Sequence, residues 1–153
     1  MKIAFVACSG TKTEKAAAAK DLYISPLFKK TRAHVEAMCD EWHILSALHR
    51  VVHPNTVLEP YDFTLAQMSR KQREVWAADV MRQIRGLVQP GDRIYLFAGQ
   101  LYREHLIEPL KQLQCYVDIP LEGLGIGEQL QTLSVTPDPD GVIWMGSAKG
   151  RQS

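Results

Sequence analysis

Lys2-Ile3-Ala4-Phe5-Val6-Ala7-Cys8 decides the fold. Ile3 to Ala7 run apolar without alternation, as a strand does when both faces of its sheet are covered. Arg93-Ile94-Tyr95-Leu96-Phe97-Ala98 repeats the pattern and stops at Gly99. Trp42-His43-Ile44-Leu45-Ser46-Ala47 is a shorter version, and Cys115-Tyr116-Val117-Asp118-Ile119-Pro120 a weaker one.

Helical spacing fills the gaps between these runs. Pro26 suits a first helical turn, and Leu27, Thr31, Val35 and Met38 predict a helix from Pro26 to about Cys39. Ser69-Arg70-Lys71-Gln72 has a capping-box pattern and opens a helix with Trp76, Val80, Ile84 and Leu87 on one face. Leu106, Leu110 and Leu113 mark another, and Glu128 to Leu133 a short last one. Ser9 to about Ser25 reads as a polar loop. A longer irregular stretch holds Pro54, Asn55 and Pro60, and long loops in a compact domain are often functional. Gln89-Pro90-Gly91-Asp92 reads as a turn.

Strands alternating with helices predict an α/β fold: a three-layer α/β/α sandwich on a mostly parallel, doubly wound sheet of about four to five strands. Residues 1–133 form the expected single domain. Residues 134–153, with five prolines and glycines from Pro137 to Gly150, read as a loosely attached tail in which Val142-Ile143-Trp144-Met145 can dock as an edge strand.

Composition narrows the function classes. The chain has 153 residues, 46% hydrophobic and 23% charged, which argues against wholesale disorder. A net charge of +1 argues against a strongly electrostatic nucleic-acid binder. No apolar run approaches the roughly 18–20 residues of a membrane span, and the N-terminal run is too short for a signal peptide. Cys8, Cys39 and Cys115 form neither a CxxC pair nor a secretory framework, so a cytoplasmic location is expected.

In open parallel sheets ligands bind beyond the carboxyl ends of the strands. That rule selects four segments. Cys8-Ser9-Gly10-Thr11-Lys12 offers a backbone cradle for an anion with Lys12 beside it. It lacks the spacing of a Walker loop, and no Arg follows Cys8 as in a phosphatase loop. The alternative is a buried strand-end cysteine before a flexible turn. Ser46-Ala47-Leu48-His49 offers a hydroxyl and an imidazole for acid–base work. No Gly-x-Ser-x-Gly surrounds Ser46, so a hydrolase elbow is not expected. Ala98-Gly99 permits close approach of a ligand, with Tyr102 and Arg103 following. Gly123-Leu124-Gly125-Ile126-Gly127 reads either as a phosphate-binding turn or as tight packing of the next helix.

In the long loop, Pro60 stiffens Glu59-Pro60-Tyr61-Asp62. Tyr61 suits stacking or hydrogen bonding, and Asp62 suits orienting a water or a ribose; a tyrosine lid over the core is the alternative. His43, His49 and His53 lack metal-site spacing, and no metal or cofactor is expected. His34 and His105 read as helical packing or surface residues.

Several of these pieces occur together: Cys8-Ser9-x-x-Lys12, Asp21-Leu22-Tyr23, Ser25-Pro26-Leu27-Phe28, Ile44-Leu45-Ser46-Ala47-x-His49, Pro60-Tyr61-Asp62, Ala98-Gly99-x-x-Tyr102 and Leu121 to Leu130. In this combination residues 3–133 resemble a bacterial and phage domain family of unknown function. The Leu45–Tyr61 portion is distantly similar to the YaaA peroxide-stress proteins, which are associated with DNA binding. The resemblance implies an α/β fold and a site built from these segments, without supplying a reaction. The family carries Gly after the matching histidine, where this chain has Arg50.

The expected function is an enzyme directed at a nucleotide or a nucleic-acid base, of the kind that cleaves or exchanges an N-glycosidic bond. Its catalytic residues would be His49, Asp62 and Ser46, and its ligand-binding residues Cys8, Ser9, Lys12, Tyr61, Gly99, Tyr102 and Gly125. The expected partner is a nucleotide, a modified base or a nucleic acid, with no membrane. The alternative is a non-catalytic nucleic-acid-binding module serving stress response or DNA modification, favoured by Lys12, Lys15, Lys20, Lys29, Lys30, Arg32, Arg70, Lys71 and Arg73. A thiol redox role for Cys8 ranks last, since no second cysteine lies near it in sequence.

Overall fold

Ile3 to Ala7 lie in β1 (Lys2–Ala7), the middle strand of a five-stranded sheet. A computed structural model of the chain describes residues 1–7 and 10–134. Cys8, Ser9 and the expected edge strand at Val142–Met145 lie outside the described residues.

On one side β1 pairs in parallel with β3 (Glu41–Ser46), placing Phe5 opposite His43. On the other it pairs in parallel with β6 (Arg93–Phe97), placing Phe5 opposite Leu96. β7 (Tyr116–Asp118) continues the sheet in parallel beyond β6. β4 (Arg50–Val52) closes the other edge, antiparallel to β3. The chain leaves β1 for β3 through α2 (Pro26–Met38) and returns through α3 (Arg70–Ile84) to β6 on the opposite side of β1. The carboxyl end of β1 is therefore the switch point of the sheet, the place where open α/β sheets bind ligands.

Side chains of β1 alternate between two apolar clusters, as the strand period requires. Ile3 and Phe5 join Leu45, Leu96, Trp76, Val80 and Ile84. Ala4 and Val6 join Ile44, Phe28, Val35 and Leu133. The sequence run is unbroken because both sets are buried. Ser69 caps α3 as expected, accepting from the Gln72 N–H at 3.1 Å while Gln72 Oε1 accepts from the Ser69 N–H at 2.8 Å. Leu87 packs on the core just beyond the end of that helix.

The two expected loops hold more structure than their polarity suggests. The first contains β2 (Ala17–Ala18) and the single turn α1 (Ala19–Leu22). The second contains β4, β5 (Val57–Leu58) and a 3₁₀ turn at Leu65–Gln67. β2 and β5 pair antiparallel, Ala17 with Leu58 and Ala18 with Val57. These pieces are two or three residues long, too short to show a period. α4 (Gln100–Arg103) and α5 (Ile107–Gln112) follow β6, and α6 (Ile126–Leu133) follows β7. His105 lies in the turn between α4 and α5 rather than on a helix. His34 is buried on α2, its ring edge-on to Phe97 at 5.8 Å.

Candidate functional site

The loop after β1 is shaped by Gly10. Its φ is +74°, and a Cβ there would stand 2.7 Å from the Ser25 Cβ, so glycine is required on both counts. Beyond it the chain doubles back on itself. Thr11 O accepts from the Ile24 N–H at 2.8 Å and Leu22 O from the Thr13 N–H at 2.9 Å. This presses Lys12 against Tyr23. The second loop is held to the first by the β2–β5 ladder and by two further bonds, Ala19 N–H to Thr56 O at 2.7 Å and Lys20 N–H to Pro54 O at 2.9 Å.

Three hydroxyls line up where these loops meet the end of β3. Tyr23 and Tyr61 share a hydrogen bond of 2.6 Å, and Tyr61 and Ser46 one of 2.7 Å. Ser46 Oγ also accepts the His49 N–H at 3.0 Å. The carbonyl of Ser46 accepts the Trp76 indole N–H at 3.0 Å, which ties α3 to the strand end. Lys12 Nζ stands over both tyrosine rings, 4.7 Å from the Tyr61 centroid and 5.6 Å from that of Tyr23. A cation there is attracted by the ring quadrupoles. The His49 ring meets Tyr61 edge-on at 5.2 Å. Ser46 and Tyr23 are buried, Lys12 and Tyr61 are half-buried, and His49 is exposed.

Each hydroxyl both donates and accepts, so the chain from Ser46 through Tyr61 to Tyr23 can pass a proton along its length. Tyr61 is enclosed by Lys12, His49 and Tyr23.

The remaining expected residues surround this cluster at different removes. Asp62 is exposed, one position along from Tyr61. Gly99 is exposed at the start of α4, where Arg103 Nη1 donates to Ala98 O at 2.9 Å and Nη2 lies 3.8 Å from Glu122. Tyr102 accepts the Leu65 N–H at 3.4 Å, and its ring meets Trp76 edge-on at 5.6 Å. Trp76 thus bridges Tyr102 to Ser46. Gly125 is the N-cap of α6, and its own N–H donates to Glu128 Oε1 at 3.0 Å, so a carboxylate already occupies that amide. α6 packs against α2. Cys8 and Ser9 lie outside the described residues.

Tyr23, Trp76 and Arg103 complete this arrangement. The sequence places Arg103 beside Tyr102, Tyr23 enters only with the family resemblance, and Trp76 reads only as a core residue of its helix. Trp76 does carry a signal: a large side chain on a core face whose N–H must find an acceptor when buried. His43 and His53 meet edge-on at 6.2 Å on the edge of the sheet. Among the described residues no group of three or more His, Cys, Asp or Glu is placed to hold a metal ion. No helix among them is long and apolar enough to cross a membrane.

Comparison with known proteins adds a family and no activity. An uncharacterized protein of Bacillus subtilis (strain 168), YfjM, is 30% identical over 122 residues, covering 76% of this chain and 77% of that protein. Residues 3–135 match a family of unknown function, DUF6884, close to the 3–133 that the combined motifs outline. The chain, with its mostly parallel α/β sheet and its strand-end hydroxyl cluster, belongs to the DUF6884 family.

Proposed function

We propose that the chain is an enzyme acting on a nucleotide or a nucleic-acid base, of the type that cleaves or exchanges an N-glycosidic bond. The observation that carries this reading is the Ser46–Tyr61–Tyr23 hydroxyl chain under the Lys12 ammonium, with His49 at its edge. Lys12 draws an anionic group to the strand ends. His49 gives a proton to the leaving nitrogen of the base as the bond to the sugar breaks, and the bonding electron pair leaves with that nitrogen. A water oriented by Asp62 forms the new bond to the sugar carbon and gives up its proton to that carboxylate. In exchange, a second base takes the place of water. The hydroxyl chain holds Ser46 and Tyr61 in register with His49. With this reading go a three-layer arrangement around the sheet, supported by the two clusters on β1, and the distant likeness of Leu45–Tyr61 to DNA-associated peroxide-stress proteins. A cytoplasmic location also goes with it, since Cys39 and Cys115 are free thiols.

Ion pairing favours the enzyme over the binding module. Arg32 is paired with Asp21 at 2.7 Å and Glu36 at 3.1 Å, Arg70 with Glu74 at 3.6 Å, and Arg73 with Glu104 at 4.0 Å. Three of the nine basic residues are thereby balanced internally.

The test is to incubate the full chain with nucleotides and modified-base nucleosides and to measure free base by chromatography. Base release that falls by about a hundredfold in His49→Ala supports the reading. Release unaffected by both His49→Ala and Asp62→Asn overturns it. Salt-sensitive retention of DNA or RNA without any release would replace it with the binding module.

A further inference from the structure

A groove of about 370 Å³ lies against α3, joined to the hydroxyl cluster through Trp76, which lines it and donates to the Ser46 carbonyl. Ala47, Phe63, Met68, Val75 and Trp76 supply its apolar lining. Ala47 follows Ser46 in the chain, Phe63 stands two residues after Tyr61, and the Trp76 indole is bonded to the Ser46 carbonyl. Val75 is 58% exposed on α3, a large apolar side chain left uncovered at the groove.

The polar rim is almost entirely made of donors. Gln67 and Gln72 both line the groove, and both belong to capping boxes. Gln67 Oε1 accepts from the Thr64 N–H at 2.8 Å, and Gln72 Oε1 accepts from the Ser69 N–H at 2.8 Å. The caps therefore fix each carboxamide by its oxygen and leave the amino group as the end a ligand can meet. Lys71 and Arg50 add cationic donors. The lining's single carboxylate, Asp79, is bonded to Arg50 at 3.1 Å and to Arg82 at 2.6 Å.

We propose that this groove is the base subsite: it takes a planar ring bearing hydrogen-bond acceptors, with the sugar and phosphate directed toward His49 and Lys12. The inference rests on the nucleotide reading and sharpens it. Bases differ in what their edges present. Guanine shows O6 and N7 as acceptors, and uracil shows carbonyl oxygens, whereas adenine and cytosine place an amino donor on the same edge. A donor rim selects guanine and uracil.

Binding of GMP, UMP, AMP, CMP and ribose 5-phosphate to the full chain is measured by calorimetry. The discriminating variant is Gln67→Glu with Gln72→Glu. Glutamate keeps both capping boxes, because a carboxylate oxygen accepts from the same N–H groups, but it replaces the amino donors with acceptors. Folding is checked by thermal melting. We expect GMP and UMP to bind more tightly than AMP and CMP, and the double variant to lose on the order of tenfold or more for GMP with its melting temperature kept. If GMP binds the wild type and the double variant equally, or ribose 5-phosphate binds as tightly as GMP, the base lies elsewhere. The subsite is then overturned while the nucleotide reading stands. If none of the four nucleotides binds the wild type, both fall together.

Discussion

Among the described residues, Arg50 is one of two other than glycine with a positive φ, at +65°. It follows the turn at Ala47–His49 and begins β4. An L-residue in this conformation costs about 1 kcal/mol relative to glycine. Arg50 offsets part of that cost through its ion pair with Asp79. Alanine would lose the ion pair and keep the strain, whereas glycine would lose both. Arg50→Gly should therefore exceed Arg50→Ala in stability by about 1 kcal/mol in urea unfolding. A second expectation concerns Tyr61, whose hydroxyl is bonded to both Tyr23 and Ser46. Tyr61→Phe removes the hydrogen bonds to both buried hydroxyls and should cost about 1–3 kcal/mol, read from the same unfolding curves. Lys12, Ser46 and His49 were legible from sequence because each follows a strand end, and Tyr61 because Pro60 marks its place in the long loop. Tyr23 entered only through the family resemblance, because its partnership with Tyr61 spans 38 positions and depends on two loops folding toward each other.

At the scale of elements, the buried strands, the edge strand β7, α2 and α3 were legible, and β2, β4 and β5 were not. An apolar run announces a strand only when it is long and covered on both sides, as β1 and β6 are. β4 has three residues and begins with arginine, so neither its length nor its turn chemistry marks it. The loop from Gly10 to Ser25 is the element on which the site most depends. Gly10→Ala adds a methyl 2.7 Å from the Ser25 Cβ at a backbone angle that alanine resists. It should lower the melting temperature and displace Lys12, detected as a loss of the close ring-current shifts between the lysine ε-protons and the two tyrosines.

For the whole molecule, acid is the condition to which the fold is most exposed. His34, buried against Phe97, is held below the ordinary imidazole range by loss of hydration. His43, buried against Phe5, is pushed down for the same reason, with Glu41 at 3.6 Å opposing it. Both stay neutral in the folded protein where the unfolded chain takes up protons near pH ~6.5. Their lowered pKa values mean that stability is complete above ~6.5 and is lost as the pH falls below it. The melting temperature should drop between about pH 7 and about pH 5, and the drop should be shallower in His34→Gln. The same slope in both proteins would acquit His34.

The short ladder between β2 and β5 has a consequence for how the site comes apart. Ala19 and Lys20 donate their amides across to the second loop, Thr13 and Ile24 donate within the first, and the tyrosine hydroxyls join the two. No strand of this assembly is long enough to persist alone. The loops should therefore open as one cooperative unit, and these four amides should exchange with deuterium at a common rate, slower than exposed loops and faster than β1.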